Sequence, residues 1–265
     1  MTLTDTCITE SARRDSLLVE SVVKAFKVIE AFDGSRADLS LTDISERTGL
    51  NKSAAQRFVH TLQKLNYLEK DPASRRYTLT IRILEQSNHF LSLNPLVNHA
   101  LPHIIELRRQ LNCRVGMGCL YNTKAMYLVP LQSNRTAFKT ANAGLTVPLF
   151  CTSSGRVLLA HQDIEIAKSL IKNSHLKKYT PFTVIDTHLI EKAIEKVKQQ
   201  GYCITEQEFR MGDINTSAPV FNKYGEICAA VTVAGPNSEW THDYVSTKIA
   251  PLVIETARGI SLHLT

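Results

Sequence analysis

The 265-residue sequence predicts an α+β chain of about two domains. Three observations carry that expectation. Between Leu39 and Leu79 a helix, a glycine turn, a second helix and a two-stranded hairpin follow one another. Two further helical patterns, broken at Asn94-Pro95, come next. From Cys113 the rhythm changes to alternating apolar and small residues, in hairpins interrupted by amphipathic helices.

The N-terminal elements are read as follows. A first helix begins near Ser21, carries Val22, Ala25, Phe26, Ile29 and Phe32 at helical spacing, and ends at Asp33-Gly34. Leu39-Ser40-Leu41 leads into a helix over Thr42–Thr48. Gly49 then takes the left-handed conformation that reverses the chain. Asn51 caps the next helix, Lys52–Leu62. Ile44, Leu50, Phe58, Val59, Leu62 and Leu65 are the expected core of this unit. A hairpin turning at Asp71-Pro72-Ala73-Ser74 returns as Arg75–Leu79. This order is that of a winged helix-turn-helix, whose second helix enters the major groove of DNA.

That placement leaves Lys52, Ser53, Gln56, Arg57 and His60 on the outer face of the second helix. These are residue types that donate to phosphates or read base edges. Thr42, Asn51, Arg75 and Arg76 complete the expected DNA-contacting set. A plain solvated helix face is the alternative for the helix alone, but the attached turn and wing favour double-stranded DNA as partner. The formal net charge of +6 adds little, because residues 1–88 are close to charge balance. The local cluster Arg47, Lys52, Arg57, Lys64, Lys70, Arg75 and Arg76 matters more, being opposed only by Glu69 and Asp71.

The remaining elements follow. Ile81 to Leu91 forms a linker helix, and Leu96 to Leu111 a second; two ordinary core helices would give the same pattern. Val115, Met117 and Cys119 pair with Ala125–Val129 through a turn at Asn122-Thr123. Helices are expected at Ser154–His161, Ile164–Lys172 and Leu189–Gln200, the last stopped by Gly201. Strands are expected at Tyr202–Glu206, Ile214–Phe221 and Ile227–Ala234, and one terminal helix over His242–His263. The domain boundaries are therefore a flexible tail over 1–15, a DNA-binding domain over 16–80, a linker helix over 81–94 and a ligand-sensing domain over 95–265.

Several functions find no support. No apolar run approaches the ~20 residues that cross a bilayer, and the first fifteen residues lack a signal-peptide core, so a cytoplasmic location is expected. The cysteines Cys7, Cys113, Cys119, Cys151, Cys203 and Cys228 are scattered, without zinc-site spacing. They read as core thiols, with redox sensing by Cys113 and Cys119 a minor alternative. There is no nucleophile elbow, P-loop, dinucleotide fingerprint or paired metal ligand, so no enzyme, cofactor or metal is expected.

Three stretches now identify a resemblance: Leu41–Ser53 with Arg57 and Thr61-Leu62; Gly144–Arg156 with Leu158-Leu159-Ala160; and Gly201-Tyr202, Glu208, Gly212, Ala218-Pro219-Val220, Gly225, Ala229-Ala230 and Gly235-Pro236. From Ser21 to Leu262 the chain resembles the IclR family, the isocitrate-lyase-regulator type of transcription factor. The resemblance implies a GAF-like effector domain, a linker helix that helps dimerise, and operator binding as a homodimer or dimer of dimers under control of a small organic acid. It also implies an effector site at Val147, Ser153, Ser154, Thr205, Asn215, Thr232 and Ala234. The chain departs from many relatives at Ser153, Ser154, Arg156, Thr205, Asn215, Thr232 and Ala234, so glyoxylate and pyruvate are not transferred as effectors. The run Tyr179–Asp186 and the step Gly212-Asp213-Ile214 lean towards regulators of aromatic-acid catabolism. Read from chemistry alone, Ser153 and Ser154 open a helix whose N-terminus suits a carboxylate. Asn215 and Thr232 add hydrogen bonds, and Val147 and Met117 an apolar wall. Simple N-capping by the serines is the alternative. A ligand-free DNA binder remains the competing function.

Overall fold

The computed structural model describes residues 17–133 and 142–264. The tail expected over 1–15, with Cys7, lies outside the described residues. The chain divides into two units between Ser92 and Leu93.

In the first unit, α1 (Glu20–Glu30), α2 (Leu41–Thr48) and α3 (Lys52–Lys64) precede a hairpin of β1 (Leu68–Lys70) and β2 (Tyr77–Leu79). Local chemistry sets each boundary of α2 and α3. Ser40 and Asp43 form a reciprocal capping box at the start of α2, and Gly49 ends it at φ 69°. Asn51 accepts the N–H of Ala54 and so starts α3. Val28, Leu39, Ile44, Ala55, Val59, Leu62, Leu68 and Tyr77 form the core, with Leu50 and Phe58 packed at its edge. Each of its Val, Leu and Ile side chains, fully buried, contributes about 1.5–3 kcal/mol. Leu65 is a correction: at the end of α3 it is 49% exposed, because the chain leaves the helix there and Leu68 on β1 takes the core position. The hairpin pairs Leu68 with Leu79 and Lys70 with Tyr77, while Leu39 bridges to Tyr77. α4 (Ile83–Leu93) runs to the division between the units and buries none of its residues; Leu84 and Phe90 are 58% and 57% exposed.

The second unit opens with α5 (Pro95–Leu111), capped by Asn94. A six-stranded antiparallel sheet follows, in the order β5-β4-β3-β8-β7-β6. Its strands are β3 (Arg114–Tyr121), β4 (Lys124–Leu131), β5 (Thr146–Pro148), β6 (Cys203–Glu206), β7 (Asp213–Phe221) and β8 (Ile227–Pro236). Between β5 and β6 lie α6 (Ser153–Ala160), α7 (Ile164–Lys172) and α8 (Thr187–Gln200), the last ended by Gly201 at φ 80°. The edge strand β5 was not expected from the sequence. A three-residue strand offers too short a run for alternation to show.

Side-chain alternation divides the sheet. Val115, Met117, Val231, Val233, Ile214 and Ala218 are buried on the face that α5 and the terminal helix cover. On the other face α6 packs across β6, β7 and β8, backed by α8. Its core holds Leu149, Phe150, Val157, Leu158, Ile190 and Val197. The terminal helix is not the single element expected. A turn α9 (His242–Tyr244) and a π-helical stretch Val245–Ile249 precede α10 (Ala250–Leu262). Pro251, which has no N–H to donate, sits in the first turn of α10, where its missing donor costs least.

Candidate functional site

On α3 the exposed positions are those the sequence expects. Lys52, Ser53, Gln56, Arg57 and His60 all face solvent, while Ala55, Val59 and Leu62 turn inward. Asn51 is exposed as well but is engaged as the cap, and Thr42 is exposed in the first turn of α2. A groove between α3 and the wing is lined by Ser53, Gln56, Arg57 and His60 on one side and Lys70 and Tyr77 on the other. The Lys70 ammonium lies 5.2 Å from the Tyr77 ring centre. At the wing tip, Asp71 accepts the N–H groups of Ala73 and Ser74, and Ser74 above all holds its carboxyl below the usual range. The turn presents an exposed Arg75 in the left-handed conformation, φ 58°.

Two of the expected basic residues have other work. Arg76 donates to Asp38 at 2.5 Å and to Asp43 at 2.9 Å, tying the wing to the start of α2. This corrects its placement among freely DNA-facing residues: two carboxylates already neutralise it. Arg47 donates to the carbonyl of Ala31, to Asp33 and to Ser35, and so clamps the end of α1. The sequence offered no sign of these pairings, whose partners stand 12 to 38 positions away.

In the second unit a cavity of about 120 Å³ opens on the α6 face of the sheet. Val147 from β5, Ser153 and Ser154 from α6, and Thr205, Asn215, Thr232 and Ala234 from β6, β7 and β8 all line it. The register explains their convergence. Asn215 pairs with both Thr205 and Ala234, and Gly116 pairs with Thr232, which places these residues on one face. Met117 is the exception and a correction. It pairs with Val129 and Val231, one step out of phase with Gly116, and is completely buried beneath the opposite face.

The two serines are not the helix cap. Thr152 is: its hydroxyl accepts the Gly155 N–H at 3.2 Å. Ser153 is thereby released to share a hydrogen bond of 2.7 Å with Ser217, which continues at 2.8 Å to Thr232. The Ser154 hydroxyl is buried at the cavity wall without a hydrogen-bond partner. Gly155 lets this helix start so deep: a Cβ there would lie 2.3 Å from the backbone of Leu149.

The charged members of the wall were not foreseen. Arg114 at the start of β3 donates to Asp213 at the start of β7 at 2.8 Å. Arg210 lines the same cavity from the loop before β7, half-buried, with no ion pair among the described residues. Phe209 and Tyr127 add aromatic wall. A sequence signal for the Arg114–Asp213 pair exists only in the strand register, since 99 positions separate the partners. Behind the wall Arg156 makes a bidentate pair with Glu208. Burial pushes the Cys151 and Cys203 thiols up to about 12, as expected of core thiols, and also raises that of Cys119, one of the two redox candidates. Among the described residues, no cluster of His, Cys, Asp or Glu is arranged to hold a metal ion, and no helix is long and apolar enough to cross a membrane.

A helix-turn-helix unit followed by a mixed helix and sheet unit with a cavity has clear relatives. The model of the bacterial transcriptional regulator IclR C-terminal domain matches residues 88–262, and that of the IclR helix-turn-helix domain matches residues 21–72. The chain belongs to the IclR family. It is an IclR-type transcriptional regulator, as its relatives are. It is 30% identical over 247 residues to the p-hydroxybenzoate hydroxylase transcriptional activator of Acinetobacter baylyi, covering 91% of this chain and 90% of that one. It is 28% identical over 251 residues to the Pca regulon regulatory protein of Pseudomonas putida, covering 94% and 86%. The IclR fold is equally plain in crystal structures. The regulator from Alicyclobacillus acidocaldarius superposes with a TM-score of 0.80 at 23% identity, covering 94% of this chain and 100% of that one. An IclR homologue from Microbacterium hydrocarbonoxydans, complexed with 4-hydroxybenzoate, gives 0.77 at 22% identity, covering 92% and 98%.

Proposed function

We propose that this IclR-family regulator binds its operator through α3 and the wing, and that a small organic acid in the 120 Å³ cavity alters that binding. The observation that carries the reading is the pairing of two groups in one cavity: the buried Ser154 hydroxyl at the start of α6, which has no hydrogen-bond partner, and the half-buried Arg210 guanidinium, which has no ion pair among the described residues. A helix N-terminus and an uncompensated guanidinium are both suited to a carboxylate. The size supports a ring-sized or smaller ligand, since an apolar cavity of roughly 150 Å³ accommodates benzene. Phe209 and Tyr127 suit an aromatic ring, and the names of the relatives point to the same chemistry.

On the DNA side, Lys52, Ser53, Gln56, Arg57 and His60 face the major groove, with Thr42, Asn51, Lys70 and Arg75 near the phosphates. A homodimer is the working unit in this reading. The exposed apolar side chains of α4 gain a partner when two copies associate, and two half-sites about one helical turn apart need two recognition helices. The second unit acts as a sensor, without turnover, in the cytoplasm.

The test is a thermal-shift screen of the full-length protein against small carboxylates and aromatic acids. Stabilisation that grows with ligand concentration supports the reading. A blank across the series, in protein that still binds DNA, favours a ligand-free DNA binder.

A further inference from the structure

We propose that Arg82 is a positioning residue for operator recognition: it fixes the angle at which α4 leaves the end of α3, and so the half-site spacing the protein accepts. The proposal rests on the homodimer reading above and adds a residue outside the DNA-contacting set. A helix leaves its last carbonyls without donors of its own. At the end of α3 the Asn66 and Tyr67 N–H groups donate back to the Gln63 and Leu62 carbonyls, and Asn66 reverses the chain at φ 60°. The next two carbonyls, of Leu65 and Asn66, are met from the entry to α4. Arg82 Nη1 donates to the Leu65 carbonyl at 2.6 Å, and the guanidinium carbon lies 5.0 Å from the Tyr67 ring centre. The Thr80 hydroxyl donates to the Asn66 carbonyl, and the Thr80 N–H to that of Tyr67 at 3.0 Å. Thr80 Oγ1 in turn accepts the Arg82 N–H at 3.3 Å.

None of the α4 side chains is buried, so no core packing sets the direction of this helix. Its direction is set at its entry. Anchoring at Thr80 alone leaves a pivot, and the second anchor at Arg82, two residues on, removes it. A guanidinium suits this place because it donates in its own plane and stacks on an aromatic face. One side chain thus engages a helix end and a ring together, and its charge meets the negative end of the helix dipole. α3 carries the recognition face, and α4 runs on to the division between the units. In a dimer the angle between the two helices sets where the second recognition helix falls. Half-sites ~34 Å apart, one helical turn, demand that this angle be fixed. Removing Arg82 is expected to leave each recognition helix intact and to loosen the distance between the two.

The experiment measures binding of the full-length protein, at one salt concentration, to a duplex that it has selected from a random pool. Two further duplexes are compared: one with about five base pairs, half a turn, inserted between the half-sites, and one with a single half-site. The wild type is expected to bind the selected duplex at least tenfold more tightly than the one with the insertion. Arg82→Ala should narrow that ratio at least threefold, while its affinity for the single half-site stays within twofold of wild type. Tyr67→Leu removes the ring, keeps an apolar side chain and should narrow the ratio too; it decides the matter if Arg82→Ala fails to fold. An unchanged ratio in the folded variant overturns the proposal. So does a single half-site weakened as much as the selected duplex, the result expected of a DNA contact or of a merely structural residue. A wild type that tolerates the inserted half turn overturns the proposal and leaves the dimer standing. If the selected duplexes carry one half-site and bind one copy of the chain, the homodimer reading itself falls, and the proposal with it.

Discussion

Arg156 and Glu208 meet through two hydrogen bonds of 2.6 and 2.7 Å, with side chains 6% and 10% exposed, and join α6 to the loop that carries Arg210. The same loop is held from its other side. Thr180 and Thr183 donate to the carbonyls of Gln207 and Glu208, and the Val184 N–H donates to the Glu208 carboxylate. One wall of the cavity is thus fixed to the helix that carries Ser153 and Ser154. Glu208→Ala leaves the Arg156 guanidinium buried without its partner, which costs about 3–5 kcal/mol. Chemical denaturation of the second unit should show that loss. Replacing both partners with apolar residues should cost less than the single change, and a loss below about 1 kcal/mol for Glu208→Ala would contradict the clamp.

Arg57 and Arg76 are expected to separate DNA binding from stability. Arg57→Ala should weaken operator binding by about 1–3 kcal/mol if it reads a base, with thermal stability unchanged within about 0.5 kcal/mol. Arg76→Ala should instead lower the melting temperature of the first unit, because Asp38 and Asp43 lose their shared partner. Gel-shift and melting curves on the two variants decide the matter; reversed phenotypes would mean that the DNA-facing side has been misplaced.

Asp43 gives a pH signature. The Ser40 N–H above all, then the Ser40 hydroxyl, with Arg76 and Arg36 adding less, holds its carboxyl down at about 2, from 3.8. A depressed carboxylate stabilises the fold above its unfolded value and loses that contribution as the folded group protonates. The stability difference between wild type and Asp43→Asn should therefore be steady above about pH 4 and shrink as the pH falls towards 2. Circular dichroism melts across that range measure it. A difference that stays constant down to pH 2 would show that the capping box does not hold in solution.

Gly155→Ala tests the seating of α6. The added methyl would sit 2.3 Å from the Cα and carbonyl oxygen of Leu149, a backbone clash that no rotamer change relieves. Overpacking of this kind costs about 1–3 kcal/mol or more. We expect reduced soluble yield, a lower melting temperature and loss of acid binding, with operator binding by the folded fraction less affected. A variant as stable as the wild type would show that the helix can shift away from the β5–α6 segment.

The parts of this architecture that local chemistry specifies were readable in the sequence. Gly49 and Asn51 marked the turn and cap of the DNA-reading unit, Gly201 stopped α8, and α7 falls on Ile164–Lys172 as expected. Seven of the eight expected cavity residues line the cavity, and the resemblance rather than periodicity supplied all seven. What stayed hidden depends on strand register and distant pairing. Met117 alternates correctly along β3, yet which face meets α6 is decided by pairing with β8, so it was placed on the wrong side. The Arg114–Asp213 pair, the pairing of Arg76 with Asp38 and Asp43, and the hydroxyl chain through Ser217 each join residues from separate elements. Such contacts leave no periodic trace.

An acid in the cavity is expected to change how the protein holds DNA. The direct measurement is fluorescence anisotropy with a duplex that the protein has selected from a random pool, with and without saturating 4-hydroxybenzoate or benzoate, in wild type and Arg210→Gln. The expected result is a shift in operator affinity within the ~5–150-fold range common for allosteric coupling, lost in Arg210→Gln. Identical isotherms with and without an acid that the wild type demonstrably binds would contradict it.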